Sequence, residues 1–155
     1  LKEEHVLTAL QKKAAWAEIS VPIIEKKDCE RVAPGVRRTL VALNEGQFTA
    51  GNLLWAKTSA MRKLLPKVRA GYDNRKSPLK LAGIVGTRTA YNLIIAKLFP
   101  KRVTVASLAQ TVSQQMGIQI EALIVHDAEI GTDVDRYSQL EALLALQEPR
   151  KTTAT

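Results

Sequence analysis

The chain has 155 residues, one cysteine and a formal net charge of +8, with 46% hydrophobic and 25% charged residues. These values exclude wholesale disorder and a disulfide-held scaffold, and they fit one globular domain. The acids Glu3 and Glu4 and the lack of an uninterrupted apolar run argue against a secretion signal, and no stretch is apolar enough to span a bilayer.

From Lys2 to Glu18 the apolar residues Val6, Leu10, Ala14 and Ala17 fall at helical spacing and predict a first helix. Ser20 to Ile24 is β-branched but holds Pro22, so it reads as a short edge strand or an extended linker. Val36 to Leu43 fits either a helix after the Pro34-Gly35 turn or one arm of a hairpin turning at Asn44-Glu45-Gly46. Leu54, Met61, Leu65 and Val68 then mark the inner face of a helix over about Asn52 to Arg69, with Pro66 as a kink, followed by a loop from Gly71 to Pro78.

Thr87 caps a helix whose expected inner face is Ala90, Tyr91, Ile94, Ile95 and Leu98, stopped by Pro100. Thr104 opens another, with Val105, Leu108, Val112 and Met116 in register and Gly117 as its stop. Ile118 to Val125 is a buried strand or the start of a further helix. Thr132 begins a last amphipathic helix that ends at Pro149. The resulting expectation is a mainly α protein, one small helical domain over 1–149 with a short β-hairpin or strand pair and a disordered tail at 150–155. An α+β fold is the runner-up.

Charge supplies the functional reading. Between Lys57 and Arg102 stand twelve basic residues against one acid, Asp73. A field of one sign attracts polyanions, so Lys63, Lys67, Arg69, Arg75, Lys76, Lys80, Arg88, Lys101 and Arg102 are the expected nucleic-acid-binding residues, with duplex DNA favoured over RNA. Tyr72, beside Arg75 and Lys76, is the one ring placed to stack on bases, and the other aromatics are assigned to the core.

Val103 to Ile124 is weighed as a helix-turn-helix, with Gln110, Ser113, Gln114 and Gln115 as its best polar readers. Gly83-Ile84-Val85-Gly86 precedes Thr87-Arg88-Thr89 at a helix start whose free amides can receive a phosphate. Its apolar middle pair favours close helix packing instead.

His126, Asp127, Glu129, Asp133 and Asp135 form the one dense acidic group. It matches no calcium-loop spacing, and Asp127 and Asp133 are read as helix-start carboxylates, so no metal is assigned. His5 reads as solvent-facing, and Cys29 is flanked by Asp28 and Glu30, which disfavour a reactive thiolate. With no nucleophile elbow, P-loop or dinucleotide fingerprint, the sequence predicts no enzyme and no cofactor.

The functional expectation is therefore a cytoplasmic, non-enzymatic accessory or regulatory protein that binds DNA through a basic helical surface, as a homo-oligomer and without a membrane partner. The alternative is an adaptor or assembly subunit whose basic face docks an acidic protein, with the acidic C-terminal third mediating self-association.

Overall fold

The computed structural model describes residues 2–36 and 38–132. The expected C-terminal helix and tail, with Asp133, Asp135 and Tyr137, lie outside them. The fold is α+β, which corrects the mainly α expectation: among the described residues six α-helices accompany a mixed five-stranded sheet. In chain order the elements are α1 (Glu3–Lys12), β1 (Ile19–Glu25), α2 (Lys26–Val32), β2 (Val41–Leu43), β3 (Gly46–Ala50), β4 (Trp55–Ala56), α3 (Thr58–Asp73), α4 (Pro78–Val85), α5 (Thr87–Leu98), α6 (Val105–Met116) and β5 (Ile120–Val125). Short 3-10 turns occupy Pro100–Arg102 and Ala128–Gly131.

The segment read as an edge strand is the centre of the sheet. β1 pairs in parallel with β5 from Ile19↔Ile120 to Ile24↔Val125. On its other side it is antiparallel to β4 at Ile19 and Ser20 and to β3 from Ile23 to Glu25. Pro22 is tolerated because its backbone faces the break between β4 and β3. There its carbonyl accepts from Gly51 N–H at 2.8 Å, and the missing proline donor interrupts no ladder. The β2–β3 segment is the hairpin, joined at Val41↔Phe48 and Leu43↔Gly46.

Side chains alternate across β1 and β5, and both faces are covered, as a parallel pair requires. Ile24, Leu123 and Val125 pack with Ala9 of α1, Cys29 of α2, Ala128 and Ile130. On the opposite face Ile19, Val21 and Ile120 meet Ala60 and Leu64 of α3, while Ile23 and Ala122 join Phe48, Leu43, Ala96 of α5 and Val105 of α6.

Two helix ends follow their local signals. The Thr104 hydroxyl accepts from Ser107 N–H at 3.0 Å to cap α6, and Gly117 closes it in the left-handed region at φ 66°. Glu45, in the hairpin turn, adds its carboxylate to Val105 N–H at 3.0 Å and ties the hairpin to α6. At the start of α5 the cap residue is Gly86, not Thr87. Gly86 has φ 92°, and a Cβ there would collide with the Gln115 side-chain amide.

Several expectations are corrected by the packing. Ile120–Val125 is strand, so Val103 to Ile124 forms no helix-turn-helix. Helix α4, inside a stretch with no expected element of its own, follows a loop that ends before Pro78. Helix α5 is turned over: Thr89 and Ala96 are buried, Ile95 packs inward, and Tyr91, Ile94 and Leu98 lie exposed. Helix α3 likewise buries Ala60 and packs Leu64, leaving Leu65 and Val68 in solvent. Trp16, Tyr91 and Phe99, assigned to the core, are exposed. Among the described residues no helix is long and apolar enough to cross a membrane.

Candidate active site

In sheets with parallel strands, the chain leaves the core at the strands' carboxyl ends and frees loop residues there for chemistry. Here the carboxyl ends of β1 and β5 lie side by side, since Ile24 pairs with Val125. β1 runs directly into α2, whose first turn carries Asp28, and β5 runs directly into His126.

The two side chains meet. His126 Nδ1 lies 2.8 Å from Asp28 Oδ2. Arg31, one turn further along α2, donates to Asp28 Oδ1 at 3.1 Å and to the His126 carbonyl at 3.3 Å, closing a ring of three residues. The Asp28 side chain is 10% exposed and that of His126 is 62% exposed, so a buried carboxylate holds an imidazole that faces solvent.

The hydrogen bond from His126 keeps the Asp28 carboxyl below the ordinary aspartate range, helped by the bond from Arg31 and opposed by burial. An ionised Asp28 can only accept, so His126 Nδ1 carries the proton of this bond, and in the neutral imidazole Nε2 is then the acceptor. That is the arrangement of a general base held by a carboxylate.

Neighbouring residues fix this edge. Arg38 donates to the Gly131 carbonyl and, at 3.2 Å, to the Thr132 hydroxyl. Gly131 sits so close to Ile24 that a Cβ would approach its Cδ1 to 2.7 Å. Asn52 N–H donates to the Ile130 carbonyl at 2.8 Å. These contacts hold the Ala128–Gly131 turn against the sheet. Among the described residues Arg38 Nε is buried without a protein partner, and a 40 Å³ cavity lined by Arg38, Cys29 and Val36 adjoins it.

Next to the dyad, His5, Asp127 and Glu129 bring their ligand atoms within 4.8 Å of one another, a set of N and O donors able to hold a divalent cation. Asp127 precedes only a short 3-10 turn and caps nothing with its side chain, so the helix-start reading does not apply to it. His5, read as solvent-facing, is half-buried. Cys29 is buried, and burial pushes its thiol pKa up, in keeping with an unreactive sulfur.

Two of the expected nucleic-acid residues, Lys67 and Arg75, make contacts within the fold. Lys67 donates to the Gln115 carbonyl at 3.1 Å and caps the C-terminal end of α6. Arg75 donates to the Tyr72 carbonyl at 3.0 Å and lies 4.3 Å over the Tyr72 ring, occupying a face assigned to base stacking. Lys63 and Arg69 are exposed on α3, Lys76 in the loop after it, Lys80 on α4 and Lys101 in the turn Pro100–Arg102. Arg88 and Arg102 share one recess.

Of the amides at the Thr87-Arg88-Thr89 helix start, that of Thr89 is bonded to Gln115 Oε1 at 3.2 Å. Gly83 has open space around it and packs no helix closely. Ser113 donates to the Ile120 carbonyl at 3.2 Å, so Gln115 and Ser113 both make bonds that hold the fold together.

A depression of 810 Å³ runs along α6 and β5 past Trp16, Glu18, Gln110 and Gln114, and the dyad does not line it. Sequence reasoning missed Asp28 and His126 as a pair because 98 positions separate them and no local motif marks either.

No family profile and no curated protein matches this chain. A solved structure from Thermus thermophilus, described as a hypothetical transferase, superposes on it with a TM-score of 0.77 at 36% sequence identity. The match covers 90% of this chain, which spans 58% of that protein's length. Likeness of this degree to a protein described as an enzyme corrects the expectation of a non-enzymatic DNA-binding or adaptor protein, and the DNA-binding and regulatory roles find no support in it.

Proposed function

We propose that this protein is a transferase, or the part of one that carries a general base, with its reacting centre at the carboxyl edge of β1 and β5. The observation that carries this reading is the 36% identity over 90% of the chain with a protein described as a hypothetical transferase. The Asp28–His126 pair supports it by supplying what group transfer requires of a protein.

The acceptor's O–H or N–H donates to His126 Nε2. As the proton moves to Nε2, the acceptor atom forms a bond to the electrophilic centre of the donor. The bond to the leaving group breaks, and the leaving group departs with its electron pair. The imidazolium formed is stabilised by the Asp28 carboxylate, which stays ionised because its proton affinity is lowered. Arg31 fixes both partners and lends positive charge to an edge where an anionic donor would sit. The set His5, Asp127 and Glu129 would hold a divalent cation, which supplies charge neutralisation for such a donor when bound.

The test is release of the leaving group from a panel of activated anionic donors: nucleoside triphosphates, nucleotide sugars and acyl thioesters, each offered with hydroxyl and amine acceptors. Consumption of one donor class, dependent on acceptor and reduced about a hundredfold or more in His126→Gln, is the expected result. Absence of acceptor-dependent turnover with every donor would refute the reading.

A further inference from the structure

Away from the dyad, α5, the turn Pro100–Arg102 and α6 enclose a polar recess of 300 Å³. Arg88 and Arg102 stand in its lining with Asn92, Gln110, Thr111 and Gln114, and among the described residues no carboxylate lines it. From Asn74 to Ile120 the sequence contains no acid at all, while Arg75, Lys76, Lys80, Arg88, Lys97, Lys101 and Arg102 fall within that span. Neither guanidinium of the recess is ion-paired among the described residues. Two exposed arginines with no carboxylate partner among the described residues, beside one polar hollow, give it a positive potential that attracts an anion.

The walls are set in advance. Asn92 Nδ2 donates to Thr111 Oγ1 at 3.0 Å, and Thr111 donates to the Ser107 carbonyl at 2.9 Å, which locks α5 onto α6. Gln115 bonds both the amide and the hydroxyl of Thr89, at 3.2 and 2.5 Å, and fixes the start of α5 one residue from Arg88. Arg102 lies 5.2 Å over the Phe99 ring, and its own N–H closes the turn on the Phe99 carbonyl at 3.0 Å. With Thr111 and one N–H of Asn92 committed to the fold, the donors left for a ligand are Arg88, Arg102, Gln110, Gln114 and the second N–H of Asn92. The two guanidiniums among them favour an oxyanion, and the amides can add neutral donors.

We propose that this recess is a phosphate-binding site, taking the terminal phosphate of a phosphorylated ligand between Arg88 and Arg102. None of its residues belongs to the dyad, so it stands apart from the transferase reading. The phosphate can belong to a soluble molecule or to a lipid headgroup, the second because Tyr91, Leu98 and Phe99 are exposed on the elements that form the recess.

Calorimetry with inorganic pyrophosphate tests the first source and flotation with vesicles containing phosphatidic acid tests the second. Both are run on wild type, on Arg88→Ala/Arg102→Ala, and on Lys76→Ala/Lys80→Ala, which removes equal charge outside the recess. The arginine pair of substitutions is expected to weaken binding about tenfold or more, and the lysine pair about twofold or less. Loss with pyrophosphate assigns a soluble ligand, and loss confined to the vesicles assigns a headgroup. No binding to either probe, or equal loss in the two double variants, overturns the proposal.

Discussion

The ring of His126 and the carboxylate of Asp28 meet at 2.8 Å, Nδ1 to Oδ2, because parallel pairing of β1 with β5 ends the two strands at the same edge. The contact joins sequence regions 98 positions apart, so it forms only when the sheet forms. Its partners differ sharply in exposure, and that difference assigns their roles: Asp28 is inside and fixed, His126 outside and available.

Replacing Asp28 by Asn keeps the shape but removes the charge that both His126 and Arg31 address. Stability is expected to fall by about 2 kcal/mol, the size of a charge-assisted hydrogen bond lost in a mostly buried place. Urea denaturation measures it. A cycle with His126→Gln should give a coupling of about 1 kcal/mol, because two residues in direct contact do not act additively.

The lowered Asp28 pKa sets a sign for the pH response. A carboxyl with a lower pKa folded than unfolded stabilises the protein fully above the ordinary aspartate value, about pH 4, and loses that contribution as pH falls through the depressed value. The difference in melting temperature between wild type and Asp28→Asn should therefore hold near neutrality and shrink below about pH 4. A difference that grows on acidification would assign the shift the wrong direction.

Gly86→Ala places a methyl group against the Gln115 amide at a φ of 92°. A loss of about 2 kcal/mol is expected from strain and displacement of the bonds to Thr89. Combined with Gln115→Ala, the loss should be smaller than the sum, since the collision is then gone. Thermal unfolding of the three variants checks this.

Cys29 is buried with its thiol pKa raised by desolvation. A thiol-directed reagent at neutral pH should label the native protein orders of magnitude more slowly than the protein in urea, because labelling waits for opening. Rapid labelling of the native state would place the sulfur at the surface.

Local signals were readable in the sequence and long-range ones were not. The Thr104 cap and the Gly117 stop depend on neighbours within a few residues, and both appear where the pattern puts them. The hairpin at Asn44-Glu45-Gly46 was one of two open readings, settled by pairing with β1. Pro22 misled because its cost depends on what lies beside the strand, and here a gap does. Helix α5 shows a further limit. Its periodicity groups Tyr91, Ile94 and Leu98 on one side, yet small residues, Thr89 and Ala96, are what fit against the sheet and α6. Spacing tells which side chains share a face, and packing decides which face turns inward. The basic stretch was visible as charge, but its division among a helix cap, a ring stack and one recess is a property of the fold.

The most direct test of the account is the turnover of an activated anionic donor by wild type and by His126→Gln, with Asp28→Asn in parallel and folding checked by circular dichroism. Acceptor-dependent turnover by wild type, cut about a hundredfold or more in His126→Gln and reduced in Asp28→Asn, is the predicted result. Equal rates in wild type and His126→Gln would contradict it, and would remove the carboxyl edge of β1 and β5 as the reacting centre.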